Sequence, residues 1–120
     1  MIEGPPGSGK STLALALIDR GAVLVGDDGV TLDVRDGQLW AAPPPNIAGK
    51  LEVRGVGIVE MSVGEGPLAL VLTLDTDAPR MPQPAPRVLL GAQIPCISFR
   101  PGDAAQALRA ELALEHFEPL

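Results

Sequence analysis

The sequence of this 120-residue chain is poor in the residues that build disulfide-rich and aromatic-cored proteins. It has one cysteine, Cys96, one histidine, His116, one tryptophan, two phenylalanines and no tyrosine. A single cysteine cannot form an internal disulfide, which excludes a disulfide-stapled fold and fits a reducing compartment. Because hydrophobic residues still make up 46% of the chain, we expect a core of leucine, valine, alanine and isoleucine.

Basic residues are also scarce, and they are scattered along the chain. Nine lysines and arginines stand against 15 aspartates and glutamates, which gives a formal net charge of −6. This balance argues against a nucleic-acid partner and against an anionic membrane surface. The chain has neither an apolar leader behind basic residues nor an apolar run of about 18 residues, so a membrane span is not predicted. We predict a single cytoplasmic domain.

A phosphate-binding motif lies near the amino terminus. It fits the pattern G-x-x-x-x-G-K-[ST], and its predicted nucleotide-binding residues are Gly4, Pro5, Pro6, Gly7, Ser8, Gly9, Lys10, Ser11 and Thr12. The three glycines let the backbone take positive φ and approach a ligand closely, so that successive N–H groups point at phosphate oxygens. Lys10 adds a positive charge for the terminal phosphates, and the Ser11 hydroxyl is placed to reach Mg²⁺. The motif, called the P-loop below, predicts a nucleotide site but not a reaction.

The alternative is a glycine-rich turn that feeds a helix, which would explain neither Lys10 nor Ser11. Residues 11–20 contain no glycine or proline and are followed by Gly21, so a helix is predicted to begin within the motif. A P-loop normally follows a buried strand, and strands usually run about five or six residues. Only residues 1–3 precede this motif. We therefore expect a truncated first strand, or a chain that is a piece of a longer protein.

Apolar runs and turn residues predict the remaining elements. Strands are expected at residues 22–25, 30–34, 38–42, 58–61, 68–74, 88–90 and 94–99, a helical turn from Asn46 to Lys50, and a second helix at residues 103–117. The run at residues 22–25 is continuously apolar, as is typical of a strand covered on both faces. Residues 75–87 are predicted to form a proline-rich loop, and Pro95 and Pro101 favour edge positions for the last two strands.

An acidic pair, Asp27 and Asp28, follows the predicted strand at residues 22–25. Ligands of open α/β sheets sit at the carboxyl ends of strands, so the pair is predicted to face the P-loop. One carboxylate could hold Mg²⁺ while the other accepts a proton from an attacking hydroxyl, since crowding of like charges raises one pKa. The alternative is a polar turn, because Asp-Asp-Gly is favourable turn chemistry.

A second acidic candidate is Glu52, in the segment Leu51-Glu52-Val53-Arg54-Gly55-Val56-Gly57-Ile58. Its carboxylate could complete a magnesium site, because this hard cation prefers oxygen ligands. Composition alone favours a solvated charge at the end of a helical turn.

The P-loop, the acidic pair Asp27–Asp28 and the segment at residues 51–58 together resemble the catalytic domain of HPr kinase/phosphorylase. The resemblance is closer to the short single-domain form of that family. The likeness covers nearly the whole chain and is strongest over residues 4–61. It implies an α/β fold of the P-loop-containing, PEP-carboxykinase-like or HPr kinase type, with a mixed sheet and flanking helices. It also implies one domain over residues 1–120 and an ATP- and Mg²⁺-dependent serine kinase. Its partner would be HPr, the phosphocarrier of the sugar phosphotransferase system, or a paralogue.

The resemblance also implies roles for individual residues. Lys10 contacts the ATP phosphates, Ser11 and Glu52 hold Mg²⁺, and Asp27 is assigned to the metal beside them. Asp28 takes the proton from the HPr serine and would return it in the reverse phosphorolysis. Arg80 is matched to a catalytic arginine in the loop after the strand at residues 68–74.

The chain departs from the family pattern in ways that leave alternatives open. The family has a catalytic histidine ahead of the P-loop, whereas His116 lies near the carboxyl terminus and is predicted to be solvated. The Arg-Asn usual near Gly102 is replaced by Asp103 and Ala104. Phosphorylase activity, the choice of phosphocarrier and assembly into a homo-oligomer therefore stay open. A small-molecule P-loop kinase and a non-catalytic nucleotide-binding module remain the alternative functions.

Overall fold

The computed structural model describes residues 1–27, 29–45 and 49–117. In this part of the chain the elements are β1 (Ile2–Glu3), α1 (Lys10–Asp19), β2 (Thr31–Arg35), β3 (Gln38–Ala42), β4 (Lys50–Val53), β5 (Gly57–Glu60), β6 (Gly66–Pro67), β7 (Val71–Leu74), β8 (Ala85–Leu89), β9 (Ala92–Phe99) and α2 (Gln106–His116).

A four-stranded mixed sheet in the order β1-β7-β9-β8 organises the fold. β1 pairs with β7 and β7 with β9 in parallel, while β8 runs antiparallel to β9. Side chains alternate across β7, so Leu72 and Leu74 face one side of the sheet and Val71 faces the other. Both faces of β7 are largely covered, and only Thr73 interrupts its apolar sequence.

The helices cover one face of this sheet. Their shared core consists of Leu13, Leu70, Leu72, Leu74, Ile97, Phe99, Ala110 and Ala113. Leu13 of α1 is fully buried. At the far end of α1 an exposed ion pair joins Arg20 to Glu111 of α2. The packing of α1 on the sheet fixes the position of the P-loop that precedes it.

An antiparallel sheet in the order β2-β3-β6 lies against the other face. Its Leu39 packs with Leu68, Val71 and Ile94 in a second apolar cluster. β4 and β5 form a separate two-stranded hairpin. The predicted α/β fold, a mixed sheet with flanking helices, is thus confirmed.

Several predicted elements are confirmed within a few residues, including both helices and the β2–β3 hairpin. The strand expected at residues 22–25 is wrong: Leu24 makes one parallel bridge to Val63, and Val23 is 61% exposed. An apolar run becomes a strand only where neighbouring strands accept its hydrogen bonds on a ladder. Leu24 is the one buried residue of this run.

The predicted carboxyl-terminal strands also need correction. The expected loop at residues 75–87 ends early, because β8 begins at Ala85. β9 was expected at an edge but lies inside the sheet between β7 and β8. Pro95 fits there opposite Pro86, so that neither residue of this pair offers an N–H to the ladder. The helical turn predicted from Asn46 falls on residues 46–48, outside the described residues, and Lys50 begins β4.

Neither helix in the described part of the chain combines the length and the hydropathy that a membrane span requires.

Candidate functional site

The P-loop wraps the amino terminus of α1. Gly7 and Gly9 have φ of 79° and 99°, in the left-handed region that favours glycine. The Ser8 N–H donates to the Pro5 carbonyl at 3.1 Å, which closes the turn. Gly9 is the N-cap of α1, and no described side chain caps the helix there. The first N–H groups of α1 are therefore free of side-chain caps, as an anion site requires.

Gly4 is needed for a different reason from the one the sequence suggested. Positive φ was expected at all three glycines, but Gly4 is not among the residues with positive φ. A Cβ at Gly4 would lie 2.6 Å from Ser8 Oγ and 3.3 Å from Leu74 Cβ. Glycine is required here because the loop folds back on itself, and the space a side chain would need is already filled.

Ser8 brings an unused polar atom into the loop. Its Oγ is buried and has no hydrogen-bond partner among the described residues. A buried hydroxyl without a partner is costly, so its donor is available to an oxygen-rich ligand. Together with the uncapped helix end, this atom fits a phosphate group.

Lys10 folds back over the loop. Its Nζ donates to the Gly4 carbonyl at 2.6 Å, and the side chain is half-buried. The ammonium group is therefore held at the P-loop rather than in open solvent. A phosphate oxygen would compete with one carbonyl for a donor that has three hydrogens.

Asp27 joins the P-loop to the β4–β5 hairpin. The Ser11 hydroxyl donates to Asp27 Oδ1 at 3.0 Å, and the Glu52 backbone N–H donates to Asp27 Oδ2 at 3.3 Å. The structure therefore brings Ser11 and Asp27 together although the predicted strand before Asp27 is not formed. A hydroxyl and a carboxylate oxygen at this distance are the hard ligands that Mg²⁺ accepts in partial protein sites.

The other predicted site residues are less closely placed. Glu52 reaches the site through its backbone, and its side chain is exposed. Within the described ranges, no three acidic, histidine or cysteine side chains are grouped as a metal site. Asp28, the predicted base, lies outside the described residues. The metal and base assignments therefore stay predictions.

Arg80 lies elsewhere on the surface. It is exposed and lines a cavity of about 330 Å³ together with Arg100 and Arg109. None of the hydrogen bonds or ion pairs found in the described part of the chain links Arg80 to the P-loop. Pro101, which follows Arg100 of this cavity, has its Cβ 3.9 Å from the position that a Cβ of Gly9 would take.

A larger cavity of about 940 Å³ opens beside β1 and α1. Its lining includes Glu3, Gly4, Lys10 and Asp27, together with apolar residues such as Leu24. The cavity is large enough for a nucleotide-sized ligand by the usual size of such sites.

Sequence reasoning missed one group of residues beside the loop. Glu3, directly before Gly4, accepts hydrogen bonds from both terminal nitrogens of Arg87 and from the Thr73 hydroxyl. The Arg87 guanidinium lowers the pKa of the Glu3 carboxyl. Arg87 fell in the expected proline-rich loop, and 84 residues separate it from Glu3. No local pattern could have paired them.

Comparisons with known proteins agree with this architecture. The family model described as "HPr Serine kinase C-terminal domain" matches residues 1–68. A curated HPr kinase/phosphorylase of Clostridium beijerinckii is 48% identical over 62 residues, which cover 52% of this chain and 20% of that protein. One from Streptococcus thermophilus is 45% identical over 62 residues, 51% of this chain and 20% of that protein. The match thus spans about a fifth of the length of these relatives.

The structural comparison extends the likeness to most of the chain. The structure of the HPr(Ser) kinase/phosphatase from Coxiella burnetii superposes with a TM-score of 0.83 and 31% sequence identity. The match covers 96% of this chain and 80% of that one. With more than half of its residues matched by the family model and its fold shared with a solved member, this chain belongs to the HPr serine kinase C-terminal domain family.

Proposed function

We propose that this chain carries the nucleotide-binding and phosphoryl-transfer part of a serine kinase. It would use ATP with Mg²⁺ to phosphorylate a serine of HPr or of a paralogous phosphocarrier, in regulation by the phosphotransferase system. The observation that carries the proposal is the hydrogen bond between Ser11 and Asp27 at the mouth of the P-loop. A carboxylate that accepts from the P-loop serine supports a metal-assisted phosphoryl transfer, and the fold is similar to that of a named HPr kinase.

The described residues can each be given a task. The uncapped N–H groups of α1 and the Ser8 hydroxyl would bind phosphate oxygens, and Lys10 would exchange the Gly4 carbonyl for one of them. Ser11, Asp27 and Glu52 would hold Mg²⁺, which when bound neutralises charge on the phosphates. The chain thereby orients the terminal phosphate and holds it in place, which is most of what phosphoryl-transfer catalysis demands.

Two further roles come from the family by residue match. Asp28 would accept the proton from the acceptor serine hydroxyl, and Arg80 would serve the transferred group. If the reaction also runs in reverse, Asp28 would return the proton as inorganic phosphate attacks phosphoserine. A cytoplasmic location and a phosphocarrier partner belong to the same proposal.

The test is transfer of label from radioactive ATP to purified HPr with Mg²⁺ present. Labelled HPr that disappears in Asp28→Asn would support the proposal. As a matched control, Asp36→Asn removes the same charge from an exposed turn with φ of 51°, a conformation that asparagine tolerates. This control is expected to retain transfer.

The alternatives give different results in the same assay. Nucleotide binding without label on HPr would favour a non-catalytic module, and label on a small acceptor alone would favour a small-molecule kinase. Lys10→Ala is expected to weaken nucleotide binding roughly tenfold to a hundredfold, because one charge-assisted hydrogen bond is lost. Unchanged affinity in Lys10→Ala would contradict the assignment of the P-loop itself.

A further inference from the structure

A row of polar side chains crosses the central sheet directly behind the P-loop. It consists of Glu3 on β1, Thr73 on β7, Cys96 on β9 and Arg87 on β8. Thr73 donates to Glu3 at 2.8 Å, and Arg87 reaches over Cys96 at 3.6 Å to meet the same carboxylate. Arg87 thus spans from one edge strand of the sheet to the other. This polar row lies on the face opposite the helices.

The polar row includes Glu3, the residue directly before the P-loop. Glu3 precedes Gly4, whose carbonyl accepts from Lys10 and where an added Cβ would lie 2.6 Å from Ser8 Oγ. β1 has only two residues, and in the described part of the chain it pairs with β7 alone. A two-residue ladder is a weak anchor, so the two-nitrogen contact of Arg87 adds a second constraint on the same residue.

The row also sets the charge next to the site. Glu3 lines the same cavity as Lys10 and Gly4. An uncompensated carboxylate there would repel phosphate groups over distances shorter than the screening length. The Arg87 guanidinium pairs with this ionised carboxylate and lowers its pKa, so the negative charge beside the site is compensated.

We propose that Arg87 is a positioning residue that acts on the P-loop through Glu3: it cancels the charge of this carboxylate, so that phosphates can bind beside it. The inference rests on the proposed function only in that the P-loop binds a nucleotide. It needs neither HPr nor transfer.

The test measures the Kd of ATP with Mg²⁺ by calorimetry on the full chain. At about 0.1 M salt, Arg87→Gln is expected to weaken ATP binding about tenfold, the effect of one uncompensated charge close to a multiply charged ligand. The difference in Kd between Arg87→Gln and the wild type should be smaller at about 1 M salt, because the screening length falls to about 3 Å. Arg87→Lys should recover part of the loss.

The decisive variant combines Arg87→Gln with Glu3→Gln. Removing the repelling carboxylate should return the Kd to within about twofold of the wild type, because the charge that Arg87 compensates is removed as well. Arg20→Gln is the matched comparison: it breaks another arginine–glutamate pair in the lining of the same cavity, one helix length or about 15 Å from the P-loop. Its Kd should change far less than that of Arg87→Gln, because this distance exceeds the screening length of about 10 Å at 0.1 M salt.

The results separate this proposal from a merely structural role and from the proposed function. Arg87→Gln with a lower Tm and an unchanged Kd would overturn it, as would a double variant as weak as the single one. If the wild type binds ATP but labels no HPr, the proposed function fails while the Arg87 test still stands. A wild type that binds no ATP would overturn both.

Discussion

At the scale of single residues, the candidate site depends on space as much as on charge. Gly4 is enclosed by Ser8 and Leu74, and its carbonyl accepts Lys10. The motif pattern specifies glycine at this position without giving the reason. The structure supplies one: the loop closes so tightly that no side chain fits.

Gly4→Ala is therefore expected to distort the P-loop. The added Cβ would meet Ser8 Oγ at 2.6 Å, so the free energy of unfolding should fall by about 1–3 kcal/mol, as is usual for overpacking. ATP affinity should fall with it. Urea denaturation and nucleotide titration would measure the two effects.

Gly66→Ala is the control for this change. Gly66 has nothing within 4 Å of the position of an added Cβ and is not among the residues with positive φ. It is expected to keep the free energy of unfolding near the wild-type value. Equal losses in the two variants would contradict the packing explanation for Gly4.

At the scale of elements, α1 holds the P-loop because it is seated on the sheet. Leu13 is fully buried between the helices and β7. Leu13→Ala is expected to cost about 2–5 kcal/mol of unfolding free energy, because the cavity it leaves can collapse only in part. Urea denaturation would measure this loss.

Leu112→Ala offers a comparison on the other helix, because Leu112 of α2 is 52% exposed. It should change the unfolding free energy by no more than about 0.5 kcal/mol. A loss as large as that of Leu13→Ala would mean that the outer face of α2 is packed in solution.

Local signals predicted some elements well. The P-loop and α1 follow from a contiguous pattern, and the β2–β3 hairpin follows from Asp36 and Gly37, which both take positive φ at its turn. The order of β7, β9 and β8 in the sheet depends on pairing between distant segments, so local signals could not predict it. Pro95 suggested an edge strand, but pairing with another proline lets it lie inside the sheet.

The candidate site was likewise predictable where its residues belong to a local pattern and not where they come together through the fold. Lys10 and Ser11 belong to one motif, and the acidic pair was expected beside it. Asp27 lies there, in hydrogen-bond contact with Ser11, while its role stays a prediction. The expected reason was wrong, because residues 22–25 form one bridge rather than a buried strand. The Glu3–Arg87 pair could not be predicted, since it depends on how four strands are ordered.

At the scale of the whole molecule, two ion pairs link distant parts of the chain. Arg87 lowers the pKa of Glu3 across the central sheet, and Arg20 lowers the pKa of Glu111 between the helices. A carboxyl whose pKa is lowered by folding stabilises the protein above its unfolded pKa. That stabilisation disappears as the pH falls through the lowered folded value.

We therefore expect the contribution of these two pairs to Tm to be constant from neutral pH down to the ordinary glutamate pKa of 4.5 and to be lost below it. The fall should be smaller in Arg87→Gln, because its Glu3 has lost the partner that lowers the pKa. Thermal melts across this pH range would measure both. If Tm falls by the same amount at low pH in Arg87→Gln and in the wild type, other carboxyl groups determine the acid sensitivity.

The carboxylate of Asp27 has two oxygens, and each already has a donor: the Ser11 hydroxyl on the first and the Glu52 amide on the second. Each oxygen keeps a second lone pair, so a cation could bind there while the Glu52 amide stays in place. The cation and the β4–β5 hairpin would then share one carboxylate, so a spectroscopic probe on the hairpin could report metal occupancy.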